Sequence, residues 1–429
     1  MAGVFSLYIL SAASLTPLLS LSLSLPSFTA SSLKQVHESV SERIGANTIV
    51  PALIACRVAA LGHGPQCLRT LVSIVTAVCT RLKRAEVVSY HRALASFFIS
   101  ILDQRSRLVW RAASSSGNAM LEAWSECGEW ERTEPLIVKA FMALVVKMTE
   151  LELKPVFSRM LGWASIKSRA KVADGVKKKM PSAAQVRVTL HRRITFFALL
   201  RALVDRLKTI VVPYFEHVLP EAISVMRDAA VTAAAAVSGI SPPRPTKGGR
   251  KRGGAAALGG REAKRVRLVG DAVSVVDELS VSDAVMVPEL LLLQRVLAAL
   301  QSFFYFDSIG FLTKERFERV QKPLANVLSA ELVELLGGRQ PFLSFASAHV
   351  SPCVCEMSAA AGSDLLWKPL NHSLLLRTRD ASAAVRLAAL RALYACFERI
   401  GAEYVVLLPE MIPFMAELLE DSDEEVERL

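Results

Sequence analysis

The chain has 429 residues, too many for one core of ordinary size, and 52% of them are hydrophobic. Runs of strict apolar–polar alternation are few, which excludes a sheet-centred fold and favours stacked helices. The net charge of +11 lies in two local segments, as expected of a protein that meets a polyanion with part of its surface.

The first segment, residues 1–34, is apolar and serine-rich, with no charge before Lys34. A secretory signal would have a basic start, and Pro17 and Pro26 interrupt the apolar run for a membrane helix. We interpret this segment as a first solenoid helix, with a signal peptide as the alternative.

Residues 35–133 are predicted to form HEAT-like helical repeats. A helix is predicted to start at Pro51, with a partner over 68–82 and a third helix over 87–102 that Asp103 closes. These short helical pairs are typical of a repeat architecture.

Residues 134–240 are predicted to form the first half of a C-terminal helical domain, in which Pro135, Pro155 and Pro220 start helices. The polar, lysine-rich run 165–184 is predicted to be a loop.

A basic stretch extends from Lys154 to Lys208, where fourteen Lys and Arg face two Asp, a balance of +12. Phosphate contacts need only clustered Lys and Arg, so we predict contact with a polyanion or partner; a solvated helix surface with a polar loop is the alternative. The candidate contact residues are Lys177, Lys178, Lys179, Arg192, Arg193, Arg201, Arg206 and Lys208.

The segment 241–270 is rich in Gly, Pro and Arg, which cannot bury enough surface to offset chain ordering, so it is predicted to be a disordered basic loop. Its two basic clusters predict a nuclear-import signal, with a merely soluble loop as the alternative. The candidate import residues are Arg250, Lys251, Arg252, Lys264, Arg265 and Arg267.

Residues 271–375 are predicted to form the second half of the helical repeats, where Thr313 caps a helix. The aromatic run 303–306 is interpreted as filling space between hairpins rather than stacking on bases. We interpret 367–372 as an inter-repeat turn in which Asn371 and His372 bond the backbone, because no nucleophile accompanies them.

Residues 376–429 are predicted to form C-terminal HEAT repeats. Asp380 is predicted to cap a helix that Gly401 ends, and Pro409 and Pro413 suit the opening turns of the next helix. The pattern restarts at Asp421, forty-one residues after Asp380, a spacing typical of HEAT or armadillo repeats. The predicted fold class is therefore all-α, an α-solenoid of HEAT-like helical hairpins with a disordered basic loop.

No enzyme signature is present in the sequence. The seven cysteines are scattered and mostly lie in apolar segments, as buried reduced thiols do. Cys353 and Cys355 have neither a second nearby pair nor a His at zinc-ligand spacing. We therefore expect no catalytic residue, metal site or cofactor, and no small-molecule substrate.

Several strings of the sequence keep the order found in one known family. They lie at 140–157, 193–215, 307–317, 360–372 and 385–390. Together they resemble the C-terminal region of the large HEAT-repeat protein associated with U3 small nucleolar RNA, a component of the small-subunit processome. The resemblance covers about residues 35–429. Family members are several times longer, and the basic loop here is richer in Gly and Arg than theirs.

The resemblance implies a nucleolar scaffold that acts in early processing of the small-subunit (18S) ribosomal RNA precursor and supports ribosomal RNA transcription. Its implied partners are processome proteins and, directly or through proteins, pre-rRNA or U3 snoRNA, with no membrane involved. An importin-like HEAT transport adaptor and a generic protein-interaction solenoid are the alternatives. The balance of +12 argues against the importin-like alternative, which would need an acidic concave surface for basic cargo.

Overall fold

A computed structural model of the protein describes residues 45–114, 118–164, 183–238 and 288–428. These residues are largely helical, and no strand occurs among them. The N-terminal segment 1–34 and the basic loop 241–270 lie outside the described residues, and the predicted domain divisions stay predictions.

Within each described range the helices follow one another with short connections. In chain order they are α1 (Ala46–Gly62), α2 (Pro65–Arg81), α3 (Arg84–Leu102), α4 (Gln104–Ser114), α5 (Asn118–Val145), α6 (Glu150–Trp163), α7 (Ala183–Leu207), α8 (Phe215–Ser238), α9 (Pro288–Tyr305), α10 (Lys314–Ala325), α11 (Ala330–Leu335), α12 (Arg339–Phe345), α13 (Ser351–Ala361), α14 (Asp364–Arg377), α15 (Ala383–Ile400), α16 (Leu408–Leu418) and α17 (Glu424–Arg428). Two 3₁₀ segments, Lys208–Tyr214 and Gly401–Leu407, precede α8 and α16. The helices predicted over 68–82 and 87–102 are confirmed as α2 and α3.

The described helices stack in two layers. In the first layer α1 packs on α3 and α3 on α6, while α8 packs on α10, α10 on α14 and α14 on α16. In the second layer each of α2, α5, α4, α7, α9, α13, α15 and α17 contacts the next in that order. Such a stack, in which each helix meets mainly its neighbours, is an α-solenoid. The predicted architecture is thus confirmed.

Five helices of the first layer carry a proline as their sixth residue. These prolines are Pro51 in α1, Pro155 in α6, Pro220 in α8, Pro369 in α14 and Pro413 in α16. The prediction that Pro51, Pro155 and Pro220 start helices was therefore wrong by five residues. A sixth-position proline removes only the hydrogen bond to the second residue. In α6 the turn ahead of it is held by a capping box, in which the Thr149 N–H donates to Glu152 at 2.6 Å.

Pro135 also lies inside a helix, because α5 runs without a break from Asn118 to Val145. The prediction of a helix start there was wrong. Ile137, Phe141 and Leu144 follow the proline and are fully buried, and α5 packs against both α2 and α4. Packing on two sides outweighs the lost backbone hydrogen bond, as tertiary context often outweighs local propensity.

The predicted turn at 367–372 is also wrong, since these residues lie within α14. The side chains of Asn371 and His372 bond the next hairpin rather than the backbone. The buried Asn371 donates to Glu410 at 3.3 Å and accepts from the Tyr404 hydroxyl at 3.1 Å, and His372 Nδ1 lies 3.1 Å from Glu410. This network joins α14 to the last described hairpin.

The forty-one-residue repeat is confirmed by its turns. Asp380 Oδ1 accepts the backbone N–H of Ser382 at 2.9 Å, and Asp421 Oδ1 accepts that of Asp423 at 2.9 Å. Ser382, not Asp380, occupies the N-cap position of α15, so the predicted cap is displaced by two residues. Gly401 ends α15 at a φ of +77°, as predicted, because a residue without a Cβ tolerates that conformation.

The core runs continuously between the layers. Phe303 stacks on Phe215 with ring centroids 3.9 Å apart, and Phe304 is buried beside it, so both fill space between hairpins as predicted. Tyr305 instead leaves 61% of its surface exposed. Thr313 caps α10 as predicted, accepting the Arg316 N–H at 3.5 Å.

The cysteines whose side chains are described are buried, as predicted. They are Cys56, Cys67, Cys79, Cys353, Cys355 and Cys396. Burial raises the pKa of the Cys79 thiol to about 12, so it stays protonated at neutral pH. Within the described ranges, no helix has both the length and the apolar character that crossing a bilayer requires.

Candidate nucleic-acid interface

Helix α7 and the residue that follows it carry the described part of the predicted polyanion-contact set. Arg192, Arg193, Arg201 and Arg206 lie on α7, and Lys208 begins the 3₁₀ segment. Lys177, Lys178 and Lys179 lie outside the described residues. The five described residues do not share one environment.

Arg192 reaches across the layer to Asp103, at the junction of α3 and α4. Its Nε lies 2.6 Å from Asp103 Oδ1, and a second nitrogen donates to Oδ2 at 3.2 Å. Trp163 Nε1 and Ser106 Oγ also donate to this carboxylate. Burial alone would raise the pKa of Asp103, but the hydrogen bonds from Arg192, Trp163 and Ser106 hold it below its ordinary value.

Arg193 is also committed to a carboxylate. It pairs with Glu221 on α8 at 2.9 Å, and both side chains are largely covered. Burial raises the pKa of Glu221, while the positive charge of Arg193 opposes that rise. Arg192 and Arg193 therefore join elements of the solenoid, and the charge of each is already paired with a carboxylate.

The end of α7 is more open. Arg201 faces Asp205 at 3.7 Å with half of each side chain exposed, beside a groove of about 250 Å³ that Gln301, Tyr305 and Glu356 also line. Arg206 and Lys208 are exposed, and neither forms an ion pair with a described residue. Polyanion contact stays a prediction, and these last residues are the described members best placed for it.

His191 lies on α7 next to Arg192 and is buried. Burial lowers its pKa to about 4, and the positive charges of Arg105 and Arg187 add to the effect. Its Nδ1 has no hydrogen-bond partner among the described residues. His191 is therefore neutral at physiological pH and adds no charge to the basic surface.

A second basic surface, on the neighbouring helices α3 and α6, was missed by sequence analysis. Arg84 and Arg92 on α3 and Lys154 and Arg159 on α6 are exposed. Arg159 donates to Ser96 on α3, which brings the two helices together. The charge balance was counted along the chain from Lys154, so the arginines of α3 fell outside it. The signal available in the sequence was the eight-residue spacing of Arg84 and Arg92, which places both near one face of a helix.

The C-terminal acidic residues are bonded to arginines. Asp421 accepts two hydrogen bonds from Arg386 at 2.6 and 2.7 Å, and Glu417 accepts two from Arg379 at 2.5 and 2.7 Å. Arg339 binds Asp423 and Glu425. The carboxylates of this segment thus link hairpins within the solenoid, and α17 begins at Glu424 as the predicted next helix.

Two further predictions concern nuclear import and metal binding. All the import candidates lie outside the described residues, so that prediction stays untested. In the described part of the chain, no cluster of three or more His, Cys, Asp or Glu side chains is arranged to hold a metal ion.

Comparison with known proteins places this solenoid in a family. Residues 86–312, more than half of the chain, match the BP28CT (NUC211) domain. The chain belongs to this family. The matched part of the BP28CT chain begins in α3 and extends past α9, so it includes the described basic residues of α7 and all of the second basic surface except Arg84.

The BP28CT chain is similar to three much longer curated proteins. HEAT repeat-containing protein 1 of Homo sapiens is 30% identical over 348 residues, which are 81% of this chain and 12% of that protein. An uncharacterized protein of Arabidopsis thaliana is 27% identical over 92% of this chain and 15% of its own length. U3 small nucleolar RNA-associated protein 10 of Pyricularia oryzae is 24% identical over 91% of this chain and 17% of its own length. The chain therefore spans less than a fifth of each of these relatives.

A crystal structure of the karyopherin Kap121p bound to the SUMO protease Ulp1p aligns with 97% of the BP28CT chain and 43% of that protein. The sequence identity is 11% and the TM-score is 0.24. A score this low supports no conclusion about fold or function.

Proposed function

We propose that this chain is a non-enzymatic scaffold of the small-subunit processome in the nucleolus. In this role it acts in ribosome biogenesis, in maturation of small-subunit (18S) rRNA from its precursor and in support of rRNA transcription. It does so by holding U3 snoRNP proteins and pre-rRNA on the surfaces of a helical stack. The observation that carries the proposal is membership of the BP28CT (NUC211) family, with relatives named for HEAT repeats and for U3 small nucleolar RNA.

The architecture supports a holding role. The layers are joined by two-point ion pairs such as Arg192 with Asp103 and Arg386 with Asp421, which fix neighbouring hairpins relative to one another. A stack fixed in this way presents the same extended surfaces to every partner.

An importin-like adaptor would need free carboxylates to hold basic cargo. The most acidic described segment, 417–425, is instead bonded to Arg339, Arg379 and Arg386. This pairing favours the scaffold over the adaptor.

Depletion of the protein, followed by RNA blotting of ribosomal precursors, tests the proposal. The scaffold predicts that precursors of small-subunit rRNA accumulate while large-subunit precursors change less. Re-expression of the intact protein should restore the pattern. Unchanged small-subunit precursors after depletion would remove the proposal.

A further inference from the structure

Many described arginines of this protein form ion pairs with carboxylates. Those on α15 bind partners in neighbouring elements: Arg386 binds Asp421, Arg391 binds Glu425 and Arg399 binds Glu356. Arg105 binds Glu134 in the interior. Exposed arginines that have no such partner and share one surface are available to another negatively charged ligand.

The surface of α3 and α6 holds such a group. Arg84, Arg92, Lys154 and Arg159 are exposed, and no ion pair joins any of them to a carboxylate in the described ranges. The nearby acids accept backbone hydrogen bonds: Glu86 accepts the Lys83 N–H at 2.7 Å and Glu152 accepts the Thr149 N–H at 2.6 Å. The Thr149 hydrogen bond lowers the pKa of Glu152, and the nearby charge of Arg84 adds to that effect without a direct ion pair.

The two helices run side by side, so these charges share one face. Arg159 donates to Ser96, and the Ser96 hydroxyl donates to the backbone oxygen of Arg92 at 2.7 Å. This chain of contacts places Arg159 next to the turn that carries Arg92. Arg84 lies two turns earlier on α3, about 12 Å away along the helix.

Around these charges the exposed residues are mostly small or polar, apart from Val88 on α3 and Leu151 on α6. Ser89 and Ala93 are exposed on α3, and Gly162 is exposed on α6. No aromatic ring is offered for stacking by these helices, since Tyr90 bonds Asn47, Trp163 bonds Asp103, and Phe97, Phe98 and Phe157 are buried. Such a face can approach a phosphate backbone closely but does not read or stack bases.

We propose that the exposed face of α3 and α6 binds the sugar–phosphate backbone of RNA through Arg84, Arg92, Lys154 and Arg159. This site lies on the first layer of the solenoid, apart from the predicted contact residues of α7. That RNA is the polyanion rests on the proposed function. Binding is independent of sequence and falls steeply with salt, because it comes from phosphate neutralisation and counterion release.

The test measures binding of the purified full chain to a short fluorescein-labelled RNA of mixed sequence, by fluorescence anisotropy at several salt concentrations. The variant Arg92→Glu with Arg159→Glu should bind about tenfold more weakly or worse, and its slope of log affinity against log salt should be shallower by about 1.4. The variant Arg84→Glu with Lys154→Glu should behave in the same way. Neither Arg84 nor Lys154 forms a side-chain hydrogen bond with a described residue, so this second variant keeps the test valid if the first variant unfolds.

The matched control is Arg227→Glu with Arg319→Glu. Both of these arginines are exposed on first-layer helices, and the change in net charge is the same. It should keep affinity within about threefold of the unaltered protein. Circular dichroism melts show whether each variant is folded.

Three results would overturn the inference: no RNA binding by the intact protein, equal loss in the control, or equally tight binding of a poly-glutamate peptide that competes with RNA. The last would assign the face to an acidic protein. All three leave the processome role open to the depletion experiment, so the two failures are distinguishable.

Discussion

Arg192 and Asp103 stand 89 residues apart in the sequence and form a two-point ion pair, with Nε 2.6 Å from Oδ1. The pair joins α7 to the junction of α3 and α4. A residue that sequence analysis placed on a polyanion-binding face therefore holds the solenoid together. Its charge balances a largely buried carboxylate rather than a phosphate.

Removing Arg192 should destabilise the fold. The variant Arg192→Ala leaves the carboxylate of Asp103 with Trp163, Ser106 and the more exposed Arg107 as partners. We expect a loss of about 1–3 kcal/mol in the free energy of unfolding, measured by urea denaturation.

The matched control for that measurement is Arg201→Ala on the same helix. Its ion pair with Asp205 is half exposed, so the change should stay within about 0.5 kcal/mol. Equal losses in the two variants would show that the pair with Asp103 has no special role.

These contacts mark where sequence reasoning stops. Local signals were sufficient for the Thr313 cap, for the end of α15 at Gly401 and for the repeat at Asp380 and Asp421. Each depends on residues within a turn of one another. The partner of Arg192 depends on how distant helices stack, and no local pattern contains that information.

The prediction that these prolines start helices was wrong for a related reason. Proline is compatible with the first turn of a helix, so a proline before an apolar run predicts a start. In this fold an extra turn precedes the proline in five first-layer helices, including those with Pro51 and Pro220. That single turn mixes polar and apolar residues, as Ile49 and Val50 ahead of Pro51 show, and it is too short to display a helical period.

Stability should fall with acid in a window set by His191. Its pKa is about 4 in the folded protein against an ordinary 6.5, so the unfolded chain binds a proton first as the pH drops. The stabilising contribution is complete above pH 6.5 and is lost as the pH falls towards 4. Urea denaturation should show about 2 kcal/mol less stability at pH 5 than at pH 7 from this group.

The variant His191→Leu should reduce that pH dependence, whereas His217→Leu, at an exposed position on α8, should leave it unchanged. Part of the pH dependence of stability should remain in His191→Leu, because burial also lowers the pKa of His349. The positive charges of Arg201 and Arg295 add to that effect. If the free energy of unfolding of His191→Leu fell with acid as steeply as that of the unaltered protein, His191 would not be the source of the pH dependence.

Arg386 and Asp421 should be energetically coupled. Their bond links the turns of successive repeats, because Arg386 also donates to the Asp380 carbonyl at 3.0 Å. A double-mutant cycle of Arg386→Ala and Asp421→Ala, measured by urea denaturation, should give a coupling free energy of about 1–2 kcal/mol. The exposed pair Arg428 and Glu424 provides the reference, with a coupling below about 0.5 kcal/mol. Equal couplings would show that the bridge between repeats is not a stabilising feature.

Replacing Lys208 with glycine should stabilise the folded protein. It has a φ of +53° at the start of its 3₁₀ segment, the place that Gly401 occupies, with a φ of +77°, in the corresponding hairpin. A Cβ is disfavoured there, so Lys208→Gly should stabilise the fold by about 1 kcal/mol, while Lys208→Ala should not. Thermal melts compare the two variants. Equal stabilisation in both would show that backbone strain is not the cause.

The central claim is that this helical stack holds components of the small-subunit processome. Purification of the tagged protein from nucleolar extract, followed by RNA blotting for U3 small nucleolar RNA, tests it most directly. We expect strong enrichment of that RNA over an unrelated nucleolar RNA. Purified protein that carries no more of it than a tag alone would contradict the claim.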